Sequence, residues 1–237
     1  MLNHLDLSGL DEVRHDAESA TATARIGLVA APPETVLLER PQVRGKFVFA
    51  GQTKLWLRGV TYGTFRPDEH GNEYRSPAVV ERDFAAMAEA GINAVRVYTV
   101  PPRWLLDLAA AHGLRVMIGL PWEQHVAFLE DRRLTADIVR RVRDGVRRCA
   151  GHPALLCYAI GNEIPATIVR WYGPRRVERF LSQLYEVAKA EDPGCLVTYV
   201  NYPTTEYLEL PFVDLFAFNV YLETRERLAS YLARLHN

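Results

Sequence analysis

Between residues 155 and 161 the chain reads Leu-Leu-Cys-Tyr-Ala-Ile-Gly, a run without a single charge that then delivers Asn162 and Glu163. A strand with one wet face alternates apolar and polar side chains. A short uncharged run instead suits a strand buried on both faces of a parallel sheet. A carboxylate at the end of such a strand sits at the rim of a dry core. Barrel enzymes keep their chemistry there, and partial burial at such a rim can make a carboxylic acid a proton donor near neutrality. Glu163 fits a plainer role equally well on spacing alone, as an acidic residue opening the next helix at the end its dipole favours.

The flanking sequence repeats this alternation of strand and helix. Phe47–Ala50 and Lys54–Val60 read as two strands around a turn at Gly51, a β-hairpin. Val79–Ala90 places Val80, Phe84, Met87 and Ala88 on one helical face ahead of Gly91, a stop signal. Asn93–Thr99 is then a strand, Pro101–His112 a helix and Leu114–Leu120 a strand. A helix over 134–150 precedes the uncharged run and another over 175–189 follows it. Strands at Cys195–Val200 and Asp214–Val220 and a last helix over 223–235 close the pattern. Residues 1–45 carry no sustained period and read as an N-terminal arm or linker, with the ordered domain over 46–237.

Composition narrows the function classes. A net charge of -1 gives no basic surface for a nucleic-acid partner. Cys149, Cys157 and Cys195 form no CxxC pair and are odd in number, so neither a disulfide framework nor a zinc site is indicated. No basic segment precedes an apolar stretch at the N-terminus, and nowhere do about 18 apolar residues run together. Cytoplasmic placement is the expectation that follows.

Counted from Leu55, the chain holds six βα units. An α/β parallel architecture of the (β/α)8 TIM-barrel type takes eight strands in about 250 residues, so the barrel expected here is incomplete and preceded by a short hairpin. A doubly wound open sheet is the competing fold. No Gly-x-Gly-x-x-Gly follows the first strand to mark its dinucleotide site.

Gly151-His-Pro-Ala-Leu-Leu-Cys-Tyr-Ala-Ile-Gly-Asn-Glu163 resembles the stretch ending the fourth barrel strand of retaining glycoside hydrolases, closest to the TIM-barrel domain of glycoside hydrolase family 2. The entry Phe47–Gly63, with its Leu-Arg-Gly-Val, the Asn93-Ala-Val-Arg96 strand and Asn219-Val-Tyr221 resemble the same domain in the same order. The resemblance implies that Glu163 is the general acid/base and that Asn162 bonds the sugar's 2-hydroxyl. Arg96 and Tyr221 would orient a nucleophilic glutamate on a seventh strand that these residues do not include. No metal or organic cofactor is implied. The partner implied is an oligo- or polysaccharide, with a further domain expected beyond Asn237 and self-association expected through open barrel edges.

Aromatic and amide residues cluster at the same strand ends: Tyr62, Tyr98, Trp122, Asn201, Tyr202, Asn219 and Tyr221. Carbohydrate is held by rings against its apolar faces and amides against its hydroxyls. Trp122 reads as part of a sugar-stacking loop. Glu123 and Glu223 are the other carboxylates near strand ends, and the resemblance supports neither as nucleophile. Arg96 lies between valines and needs a carboxylate or a hydrogen-bonded network. The arginines from 140 to 148 lie around Val139, Val142 and Val146 as a solvated helix face. Two functions follow: a retaining glycosidase domain acting on a β-linked glycan, or a non-catalytic carbohydrate-binding module of a larger glycan-processing protein.

Overall fold

A computed structural model describes residues 38–236. Most of the expected N-terminal arm, up to residue 37, lies outside the described residues. Its last part is a strand: β1 (Pro41–Arg44) pairs antiparallel with β2 (Phe47–Ala50), and β2 with β3 (Thr53–Lys54). The stretch expected as one strand over 54–60 is divided. Lys54 ends the small sheet, and β4 (Gly59–Thr61) opens a second, six-stranded one. Between them the Asn93 side chain holds the chain, accepting from the Arg58 N–H (2.8 Å) and donating to the Trp56 carbonyl (2.8 Å).

The second sheet is wholly parallel. After β4 come α1 (Pro77–Glu89), β5 (Ala94–Val97), α2 (Arg103–Ala111), β6 (Arg115–Gly119), α3 (Arg132–Cys149) and β7 (Leu155–Asn162). Then follow α4 (Ala166–Tyr172), α5 (Pro174–Glu191), β8 (Val197–Asn201), β9 (Ala217–Phe218) and α6 (Arg225–His236). The strands lie side by side in chain order, β4-β5-β6-β7-β8-β9, without the reversal that defines a doubly wound sheet. The six strands form a half-barrel with helices, an α/β TIM-like fold. α4, a short helix directly after Glu163, has no counterpart in the sequence reading. α6 starts at Arg225, where the Thr224 hydroxyl accepts the Arg227 N–H (3.3 Å), so Glu223 precedes the helix instead of opening it.

The two faces of the sheet bury different things. On the helix side Val95, Val97, Val116, Ile118, Tyr158 and Ile160 pack against Phe84, Leu106, Ile138, Val142, Val146 and Leu181. By strand alternation Ala94, Arg96 and Met117 point the other way, into the barrel's interior. A smaller core gathers there, of Ala94, Leu156, Cys157 and Leu196 with Met117, Leu215 and Val48 from β2. The hairpin thus closes one end of the interior. Arg40 ties it down with 2.7 Å bonds to both carboxylate oxygens of Asp192, which also accepts the Gly151 N–H at 3.3 Å.

The arginine-rich helix α3 follows its pattern. Asp131 caps it, accepting from the N–H groups of Arg133 (2.7 Å) and Leu134 (3.2 Å). Val142 and Val146 are buried, while Arg140 pairs with Asp137 and Asp144 and Arg147 with Glu191. Among the described residues no helix is long and apolar enough to cross a membrane.

Candidate active site

β7 ends where its neighbours can reach it. Gly161 suits a crowded position, since a Cβ there would stand 3.2 Å from both the Trp122 and the Tyr199 rings and one of them would have to give. The next two side chains break strand alternation: Asn219 Nδ2 donates to Asn162 Oδ1 (3.0 Å) and to Glu163 Oε1 (2.7 Å), so both lie on the same side. The backbone conformation permits this. Glu163 has φ 50°, alone among the described non-glycine residues in being left-handed, a conformation that costs an L-residue roughly 1–2 kcal/mol.

The turn is pinned at successive peptides. Asn162 N–H donates to Gln124 Oε1 (2.8 Å), Glu163 N–H to the Val200 carbonyl (2.9 Å) and Ile164 N–H to the Tyr199 hydroxyl (2.8 Å). Ala166 N–H donates to the Tyr202 hydroxyl (3.1 Å). Nothing in the sequence singles out Gln124 or Tyr199. Gln124 stands in the Leu-Pro-Trp-Glu-Gln-His loop beside the more conspicuous Trp122 and Glu123, and nothing in a buried strand's pattern tells where a tyrosine hydroxyl is aimed.

Arg96 resolves its burial through amides. Its guanidinium donates to Asn219 Oδ1 (2.8 Å) and Asn162 Oδ1 (2.7 Å) and lies 4.6 Å from the centre of the Tyr98 ring. Asn219 is thereby consumed, its oxygen by Arg96 and its nitrogen by Asn162 and Glu163. Asn162 keeps Nδ2 without a hydrogen bond among the described residues. Tyr221 donates to Glu163 Oε1 (3.3 Å), and its phenol is raised above its ordinary range by desolvation first and then by the Glu163 carboxylate. Glu163 Oε1 therefore accepts two hydrogen bonds, while Oε2 makes none among the described residues.

Several expected sugar-facing residues lie elsewhere. Trp122 is buried, its indole N–H donating to the Ile160 carbonyl (2.7 Å) and its ring wedged edge-on against Phe128 and Phe180, so it packs the core and offers no stacking face. Asn201 is buried and spent on its own turn, bonded to Tyr202 N, Thr205 Oγ1 and the Thr205 carbonyl. Tyr202 turns its hydroxyl back to α4. Tyr62 is buried with its hydroxyl on Asp83 (2.9 Å), which helps hold its ionisation up behind the larger effect of burial. Tyr221, bonded to Glu163, is 79% exposed, and Tyr98, with the Arg96 guanidinium beside its ring, is 37% exposed. Glu123 pairs with Arg141 of α3 and Glu223 is exposed. Among the described residues no group of three or more His, Cys, Asp or Glu could hold a metal ion.

The half-barrel is shared with solved β-glucuronidases. Bacteroides uniformis β-glucuronidase 2, covalently bound to cyclophellitol-6-carboxylate aziridine, superposes with a TM-score of 0.67 at 21% identity, over 81% of this chain and 24% of its own. The Ruminococcus gnavus β-glucuronidase in complex with uronic deoxynojirimycin gives 0.65 at 14% identity, over 83% of this chain and 35% of its own. The Parabacteroides merdae β-glucuronidase gives 0.66 at 16% identity, over 83% of this chain and 25% of its own. At these identities the likeness is one of fold, and the chain spans between 24% and 35% of those proteins' lengths. No curated protein matches it in sequence. The model of the glycosyl hydrolases family 2 TIM barrel domain matches residues 42–237, and to that family this chain belongs.

Proposed function

We propose that this chain supplies the acid/base half of a retaining β-glycosidase site. The observation that carries the reading is the carboxyl group of Glu163, fixed by Asn219 and Tyr221 through Oε1 with Oε2 left open. In the first step Oε2–H protonates the glycosidic oxygen as a second carboxylate attacks the anomeric carbon and the C–O bond breaks, so that the leaving group departs as an alcohol and the sugar stays as a glycosyl ester. In the second, the Glu163 carboxylate takes a proton from the water that attacks the anomeric carbon and releases the second carboxylate. Asn162 Nδ2 is placed to donate to a sugar hydroxyl, and the Tyr98 and Tyr221 rings offer apolar faces beside it. Arg96 and Asn219 orient these groups.

Double displacement needs a second carboxylate about 5–5.5 Å from the first. The hydrogen-bonded network around Glu163 contains none among the described residues. The chain by itself is therefore expected to bind glycan weakly and to lack enzymatic turnover, because acid catalysis alone contributes about 10² to 10⁴-fold. The test compares this chain, the chain extended by two further βα units, and the extended chain with Glu163→Gln, on aryl β-glycosides including the β-glucuronide. Turnover should appear on extension and vanish with Glu163→Gln; turnover that survives the substitution would refute the mechanism. Glycan binding without turnover in the extended chain would instead identify a carbohydrate-binding module.

A further inference from the structure

The carboxylate network explains how the Glu163 side chain is held, but not why its backbone stays in a conformation that an L-residue disfavours. A left-handed residue persists only where its surroundings over-determine it. Here three consecutive N–H groups, of residues 162, 163 and 164, are each taken by an acceptor from outside β7, and two of those acceptors are side-chain atoms. Gln124 comes from the loop after β6 and Tyr199 from the middle of β8, so the turn is gripped from both neighbouring strands. Tyr199 is 2% exposed and its ring lies against Gly161, so its hydroxyl cannot swing to another partner.

We propose that Gln124 and Tyr199 are positioning residues for the acid: they hold the Asn162–Ile164 turn that sets two successive side chains on one side of the sheet and aims Glu163 into the interior. Neither touches substrate in this arrangement. The proposal rests on the reading of Glu163 as the acid for its catalytic meaning, though not for its geometry. If Gln124 lets go, residue 162 regains the freedom to alternate, and Asn162 and Glu163 no longer share Asn219. A displacement of about 1 Å at a reacting group costs on the order of 10²-fold in rate.

The test has two arms. In the first, amide hydrogen exchange is followed by NMR in the wild-type chain, Gln124→Leu, Gln124→Glu and Tyr199→Phe. Gln124→Leu should quicken exchange at Asn162 by about tenfold while amides of β5 keep their rates. Gln124→Glu, which retains the acceptor oxygen, should restore the wild-type rate, and Tyr199→Phe should quicken Ile164 in the same selective way. Unchanged exchange at Asn162 and Ile164, or an equal quickening across β5, β6 and β7, would overturn the proposal. In the second arm, Tyr199→Phe is placed in the extended chain of the preceding test. There kcat should fall by about 10-fold or more with KM within about twofold. If that chain shows no Glu163-dependent turnover, the reading of Glu163 as acid fails, and the exchange measurements still decide whether these two residues hold the turn.

Discussion

Glu163 carries a cost that another residue would avoid. At φ 50° the Cβ crowds the backbone, and glycine escapes the penalty. Glu163→Gly should accordingly be more stable than Glu163→Ala, by about 1 kcal/mol, the reverse of their order at an ordinary strand position. Urea midpoints measure the difference directly; an alanine variant that outlasts the glycine variant would show that the left-handed turn is not strained. The sequence announces Glu163 and Asn162 because an uncharged strand must end somewhere and these end it. It also singles out Arg96, whose charge between valines demands partners. It says far less about Trp122, Asn201 and Tyr202, because a residue at a strand end can turn either outward to a ligand or back to its own loop. Trp122 takes the second course, its indole N–H bonded to the Ile160 carbonyl, and so does Asn201, bonded to Thr205.

The elements of the parallel sheet are legible because apolar runs of strand and helix period alternate, with a stop such as Gly91 between them. The errors fall where an element is short or divided. Lys54–Val60 reads as one strand because nothing in its composition marks Leu55–Arg58 as the passage between two sheets; the marker is Asn93, 35 residues from Arg58 in the chain. β1 carries no strand signal, since it begins at a proline and its side chains, apart from Pro41, are exposed. The Arg40–Asp192 pair fastens it to the barrel, together with the packing of Val48 from its partner strand β2. Asp192 is nearly buried, with its side chain 5% exposed, and it also satisfies Gly151. Asp192→Ala should therefore cost about 3 kcal/mol, since it leaves the Arg40 guanidinium unpaired. Replacing both partners, as Arg40→Met with Asp192→Leu, should recover part of that loss. Thermal melts of the two single variants and the double variant provide the cycle; additive losses would mean that the pair does not fasten the hairpin.

For the molecule as a whole, the cysteines report on the two faces of the sheet together. Burial pushes the Cys157 and Cys195 thiols up to about 12 and Cys149 up to about 11, from an ordinary 9.0. The folded-state values are raised, so their contribution is intact below pH 9 and is lost as pH rises through 11 to 12, where the unfolded chain ionises its thiols first. Urea unfolding monitored across pH 8 to 11 should show stability falling above 9, more steeply than in a Cys149→Ala, Cys157→Ala, Cys195→Ala variant. Thiol reagents should leave all three untouched at pH 8 until the chain unfolds; rapid labelling of the folded chain would contradict their burial. The strand order carries a different kind of consequence. Each new strand is added beside the one made just before it, so a ribosome can lay the sheet down one unit at a time with nothing left waiting for a distant partner. The acid follows another timetable. Its own strand ends at Asn162 and the acid follows at once, but Asn219 and Tyr221, which fix its carboxylate, are synthesised 56 and 58 residues after Glu163. β7 is thus made long before the groups that fix the acid's carboxyl, and a nascent chain stopped short of residue 219 would carry Glu163 with neither Asn219 nor Tyr221 on its Oε1.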